Sequence, residues 1–114
     1  MNPDTERLAE RVRGVIGDDP NTSERKMFGG VCFMLNGNML CGASGTGNLM
    51  LRVGKDQEAE ARAKPNVIDM NFTGRPMRGY VYVEPKGMET DGQIAEWIAF
   101  AANFVGSLPA NRNR

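Results

Sequence analysis

The dipeptide Asn36-Gly37 constrains the fold of this chain more than any other feature of its sequence. It separates two apolar runs, and Asn-Gly is the strongest short signal for a β-hairpin because both residues accept positive φ angles. A two-residue turn fixes the pairing of the strands, so Leu35 is expected to face Asn38 and Cys32 to face Cys41. The sequence therefore predicts a tight antiparallel hairpin around this turn.

Both faces of the predicted hairpin are apolar. Alternation along each strand divides the side chains between the two faces. One face holds Cys32, Met34, Met39 and Cys41, and the other holds Phe33, Leu35 and Leu40. Antiparallel hairpins commonly leave one polar face in contact with solvent. Because neither face of this hairpin is polar, we expect that both faces are covered.

Periodic patterns on either side of the hairpin predict further elements. Leu8, Val12 and Ile16 form an apolar stripe that ends before Gly17, as expected for an N-terminal helix. Strand patterns then occupy 25–35, 38–44, 49–53, 67–72 and 80–83, and a short charged helix occupies 55–64 before a proline.

The last predicted helix is apolar on nearly all sides. Thr90 and Gln93 have the spacing of a capping box at its start, and a helix of this kind is buried centrally or shared with a partner. The full order is helix, three antiparallel strands, helix, two strands, helix. It indicates an α+β domain in which the helices pack on an antiparallel sheet.

Length and composition fit one globular domain, since the chain has 114 residues, of which 40% are hydrophobic and 25% charged. We expect a single domain over 1–108 and a disordered tail at 109–114. No apolar stretch suggests a signal peptide or a membrane span, so we expect a cytoplasmic protein without membrane contact. The 14 Lys and Arg balance the 14 Asp and Glu, which argues against direct nucleic-acid binding.

The chain contains no His and two Cys. The lack of His excludes Ser-His-Asp and Cys-His catalysis and the usual metal-ligand sets, although carboxylate, Lys, Tyr or Arg chemistry stays open. We therefore expect a protein that is not an enzyme and that holds no metal or cofactor. Carboxylate pairs such as Glu58 with Glu60 are expected to be solvated.

Cys32 and Cys41 form a candidate redox pair. In the predicted register they occupy a non-hydrogen-bonded position, where Cα atoms are about 4.5 Å apart, and a strained disulfide spans such a distance. The alternative is two buried reduced thiols packed against methionines, which the reducing cytosol favours.

Basic side chains form a candidate site for an anion or an acidic partner, because guanidinium groups bind carboxylate and phosphate bidentately. The alternative is that the arginines of the turn 73–79 are solvated. The candidate residues are Arg52, Arg75 and Arg78, with Lys26 and Lys86 as weaker members.

Tyr80 and Tyr82 alternate with valines, so they are expected to share one face of their strand. Their rings could stack on a nucleobase. Packing in the core or at an interface is the interpretation that we favour.

Four segments carry a family resemblance: RKMFGGVCFMLNGNMLCG, LMLRVGKD, FTGRPMRGYVYVEP and WIAFAANFVGSLP. In this order they resemble the N-terminal domain family of TfoX, the regulator of DNA-uptake competence also called Sxy. The resemblance implies an α+β domain with the element order given above. Full regulators of that family carry a second, C-terminal domain similar to helix-hairpin-helix modules and act with the cyclic-AMP receptor protein, whereas we expect this chain to be a single-domain member.

The resemblance and the apolar surfaces together predict a non-catalytic binding or regulatory module. By resemblance it is an accessory to transcriptional regulation of the competence type, with a protein partner that could belong to the transcription machinery. A homodimer is a further expectation from the two-sided hairpin and the apolar last helix. The alternative is a small domain that binds an anion or a nucleotide through the arginines.

Overall fold

The structure is a computed structural model that describes residues 2–27, 29–72 and 75–110, with the side chains of 70–72 and 75–76 left out. The predicted tail at 109–114 therefore lies mostly outside the described residues. Within the described part, no helix has the length and apolar character needed to cross a membrane.

The predicted N-terminal helix, α1, spans Pro3–Ile16. Asn2 caps it, because its side-chain oxygen accepts a hydrogen bond from the backbone amide of Thr5 at 2.8 Å. The helix ends at Gly17, whose φ of 71° suits glycine. Leu8 and Val12 are buried, so the predicted stripe is the face that packs on the rest of the fold.

Six strands form one antiparallel sheet in the order β1-β2-β3-β4-β6-β5. The strands are β1 Thr22–Met27, β2 Gly30–Leu35, β3 Asn38–Ala43, β4 Leu49–Arg52, β5 Val67–Phe72 and β6 Arg75–Val83. Helix α2 spans Glu58–Arg62, a short 3₁₀ turn spans Pro85–Gly87, and helix α3 spans Asp91–Val105 after the predicted capping box at Thr90.

The predicted α+β class is confirmed, with one strand more than the sequence indicated. The run predicted as a single strand from Arg25 to Leu35 is a hairpin, because Met27 pairs with Gly30, and Gly29 has a φ of 75°. β1 is an exposed polar edge strand, and such a strand lacks the alternating apolar pattern that identifies a half-buried one. β6 is longer than predicted, since it begins at Arg75.

The predicted register of the central hairpin holds only near the turn. Leu35 pairs with Asn38 and Met34 with Met39, but a β-bulge follows, so that Phe33 pairs with Cys41 and Cys32 with Gly42. Leu40 is the extra residue of the bulge. The expected pairing of Cys32 with Cys41 is therefore wrong.

Helices α1 and α3 cover one face of the sheet. Leu8 of α1 and Ile94 of α3 share a core with Leu49, Leu51 and other apolar strand residues. The prediction that α3 is buried centrally or shared with a partner holds in part. Four of its residues are buried, whereas Ala95 and Ala99 are exposed. The helices thus account for one apolar face of the central hairpin and leave the other to be explained.

Candidate interaction surface and arginine pocket

The second face of the sheet carries a cluster of sulfur-containing and aromatic side chains, here called the methionine–tyrosine face. Its centre is buried, and its remaining members are partly exposed. The centre consists of Cys32, Met34 and Met50, and the partly exposed members are Met27, Met39, Met77, Tyr80 and Tyr82. All of them lie on strands, and no helix side chain of the described residues belongs to the cluster.

Strand pairing shows which residues frame this face, because directly opposed residues point to the same side of a sheet. Arg25 pairs with Cys32, Arg52 with Tyr80, and Ile68 with Tyr82. Ile68 is 39% exposed, and it is the one large hydrophobic residue among the described residues that is exposed and not buried or partly buried. The apolar surface is thus bordered by two arginines and extended by an exposed isoleucine.

The tyrosine prediction is confirmed in its geometric part, since Tyr80 and Tyr82 both belong to the methionine–tyrosine face. Tyr82 pairs with Met50 of β4. Burial raises the pKa of the Tyr82 hydroxyl, which keeps it protonated at neutral pH. Both rings offer a flat apolar surface with a hydroxyl at the tip.

The two thiols lie in different clusters. Cys32 is part of the methionine–tyrosine face, whereas Cys41 is fully buried in the core beneath the helices. Both are free thiols. Burial raises the pKa of both thiols, and at Cys41 the neighbouring Cys32 adds a smaller electrostatic contribution in the same direction. Neither cysteine supplies a thiolate at neutral pH, and the thiolate is the reactive form.

A cavity of about 270 Å³ lies where β4 ends, beside the middle of β6, and we call it the arginine pocket. Two of the predicted basic residues, Arg52 and Arg78, come together here. The lining consists of Arg52, Gly54, Lys55, Asp56, Arg78, Gly79, Tyr80 and Phe104. The pocket adjoins the methionine–tyrosine face, because Tyr80 belongs to both.

Aromatic rings hold the Arg52 guanidinium. Its central carbon is 5.6 Å from the ring centre of Phe104 and 5.9 Å from that of Tyr80, within cation–π range. Gly54 allows Phe104 to reach this position, since a Cβ at Gly54 would lie 2.5 Å from the Phe104 ring. The backbone amides of Val53 and Gly54 both donate to the Gly79 carbonyl, at 2.8 and 3.0 Å.

A buried carboxylate lies behind the pocket. Glu58 of α2 is only 4% exposed, so the expectation that it is solvated is wrong. Arg62 donates to Glu58 at 2.9 Å, and the Nε of Arg78 donates to it at 3.4 Å. Arg62 also contacts Asp69 at 2.7 Å. The negative charge of Glu58 is therefore compensated by two arginines, as the charge of a buried carboxylate must be.

The other predicted basic residues do not join this pocket. Lys26 lies in β1 and pairs with Val31, so it faces the helix side and lines an open groove beside α1. Lys86 is exposed in the 3₁₀ turn. Arg75 begins β6, and its side chain lies outside the described residues.

Sequence reasoning missed several members of the pocket, among them Gly54, Lys55 and Phe104. The sequence contains a weak signal for them, because Gly54 directly follows a predicted strand and precedes a lysine. The approach of α3 to this loop is a long-range contact that no local pattern encodes. Among the described residues, no group of three or more His, Cys, Asp or Glu side chains could hold a metal ion.

Comparison with known proteins places these features in a family. The family model described as the TfoX N-terminal domain matches residues 16–105, which include the whole sheet and all of α2 and α3. No curated protein and no solved structure gives a significant match. Because the family model covers most of the 114 residues, the chain belongs to the TfoX N-terminal domain family.

Proposed function

We propose that this chain is a non-catalytic, protein-binding module that serves as an accessory in transcriptional regulation of the competence type. Membership of the TfoX N-terminal domain family suggests the broader part of this role, a regulatory or competence-related one. The observation that carries the narrower part is the methionine–tyrosine face, an apolar sheet surface without a covering helix side chain among the described residues.

The side chains of this face suit protein binding. Methionine is unbranched and polarizable, so it adapts to differently shaped partners. Tyrosine contributes a large rigid surface whose hydroxyl remains able to form hydrogen bonds at an interface. Partly exposed Met39 and Tyr82 belong to this apolar cluster, and exposed Ile68, which pairs with Tyr82, extends it. Exposed apolar patches often mark interaction sites.

Charge indicates the kind of partner. Arg25 and Arg52 are the charged residues that strand pairing assigns to this face among the described strands. A partner segment with aliphatic anchors and flanking carboxylates would bury the methionines and pair with both arginines. A second copy of this chain would instead bring a basic border of the same kind, so we assign the face to an acidic amphipathic segment of another protein.

The groups with potential for catalysis support a non-catalytic role. The thiols are buried and protonated, as their raised pKa values show. The buried Glu58 is already engaged by Arg62 and Arg78. The chain contains no His that could act as a general base.

Affinity capture from the native cell, followed by cross-linking, tests the proposal. The bait is compared with an M39S/Y82S variant and with A99S, a matched substitution on the exposed side of α3. We expect a transcription-associated protein that cross-links through an acidic segment to the methionine–tyrosine face. M39S/Y82S should weaken its binding by about tenfold or more, equivalent to 1.4 kcal/mol, while A99S leaves it unchanged.

Equal capture by M39S/Y82S and the unsubstituted protein would contradict the proposed surface. Light scattering at micromolar concentration identifies the competing occupant. A dimer that M39S/Y82S converts to a monomer would show that a second copy covers this face, and the acidic-segment assignment would then be wrong.

A further inference from the structure

We propose that the arginine pocket binds the phosphate group of a small phosphate monoester or of inorganic phosphate. This site adjoins the protein-binding surface, and the two share Arg52 and Tyr80. Three cationic side chains line the pocket against one carboxylate, Asp56. That balance matches a ligand with two negative charges.

Arg52 is the anchor of the proposed site. No carboxylate pairs with it among the ion pairs of the described residues. Its guanidinium instead lies over the rings of Tyr80 and Phe104. A guanidinium held in this way is weakly hydrated and already oriented, so it loses little freedom when it forms two parallel hydrogen bonds to a phosphate.

Arg78 and Lys55 complete the cationic lining. The Arg78 side chain is 69% exposed, and its Nε makes only a long contact of 3.4 Å with Glu58. Glu58 is held more closely by Arg62, at 2.9 Å. The terminal amino groups of Arg78 therefore remain available for a ligand, and Lys55 adds a flexible charge on the same loop.

The shape of the pocket limits the ligand to a compact anion. A volume of about 270 Å³ lies at the lower end of the range for small-molecule sites, roughly 300 to 1,000 Å³. The Phe104 ring lies where a side chain at Gly54 would be, so the ring forms one wall of this small pocket. A phosphate with a short organic group fits this space.

Titration of the ¹⁵N-labelled protein with inorganic phosphate and, separately, with AMP tests the inference. We expect saturable shifts of the Gly54, Lys55 and Gly79 amide signals, with a Kd of about 1 mM in low salt. R78Q should weaken binding about tenfold, because it removes a charge-assisted contact, while Arg62 continues to hold the buried Glu58 at 2.9 Å. K86Q makes the same change of charge at an exposed position outside the pocket and should leave binding unchanged.

The two ligands distinguish the source of the phosphate. Tighter binding of AMP would identify a nucleotide-type monoester, and equal binding would identify phosphate itself. The inference is overturned if neither ligand produces saturable shifts at the pocket, or if K86Q weakens binding as much as R78Q. The second result would indicate attraction by overall charge.

Discussion

Replacing Gly54 with alanine tests how the arginine pocket is built. At a φ of 80° the new residue would adopt left-handed backbone geometry, which costs a non-glycine residue about 1–2 kcal/mol. Its Cβ would also lie 2.5 to 2.8 Å from three atoms of the Phe104 ring. Relieving such overpacking costs about 1–3 kcal/mol more.

Gly79 provides a matched control in the same pocket. Its φ of 84° is nearly identical, but a Cβ there would meet no atom closer than 3.5 Å. G79A therefore carries the backbone cost alone, and G54A should be less stable than G79A by about 1–3 kcal/mol. With a urea m value of about 1.5 kcal/mol/M, the unfolding midpoints should differ by about 0.7–2 M.

Urea denaturation followed by circular dichroism measures both variants, and a double-mutant cycle with F104A isolates the clash. We expect G54A to cost less in the F104A background, since the ring that obstructs the Cβ is gone. Equal midpoints for G54A and G79A, or strict additivity of G54A and F104A, would refute the proposed contact between Gly54 and Phe104.

Three further outcomes follow from buried and paired groups. Cys32 and Cys41 should react with a thiol reagent only after unfolding. Mild oxidant should leave the mass of the native protein unchanged, and a loss of two hydrogens would instead support a disulfide between the two cysteines. Arg13 lowers the pKa of Glu24 through two hydrogen bonds of 2.6 and 2.8 Å. The pair should therefore stabilise the fold above the usual Glu pKa of about 4.3, and this contribution should fade as pH falls through the lower folded value. R13Q should lower the free energy of unfolding above this pH range by less than about 1 kcal/mol, and so make its dependence on pH weaker. An unchanged dependence would argue against the pairing of Arg13 with Glu24. E58Q should destabilise the protein by about 1–2 kcal/mol in urea denaturation. The two arginines that lose their partner are 39% and 69% exposed, so neither becomes an unpaired buried charge. A loss above about 4 kcal/mol would contradict this reasoning.

Local signals predicted the ends of the helices and the central turn. The helix end at Gly17, the capping box at Thr90 and the turn at Asn36-Gly37 depend on backbone chemistry within a few residues, and the structure has all three. The bulge at Leu40 could not be predicted in this way. It depends on how two consecutive side chains fit beneath the helices, which is a property of the packed core.

The same limit applies to the candidate site. Glu58 is part of a short alanine-rich helix whose composition indicates a solvated surface, yet strand β6 brings Arg78 against it. Arg52 and Arg78 were grouped as a candidate anion site on the chemistry of the guanidinium group alone, and the pairing of Arg52 with Tyr80 is what brings them together. Lys26 does not join them, because its strand is at the opposite edge.

The strand order also bears on how the molecule folds. Every neighbouring pair of strands is consecutive in sequence except β4 and β6, which are separated by α2 and β5. Hairpins close quickly because their loops are short, whereas a long loop loses more entropy before its contacts form. We expect the pairing of β4 with β6 to be a late step of folding, and it is the step that brings Arg52 beside Tyr80. A partly folded chain would then present intact hairpins before it had assembled the arginine pocket.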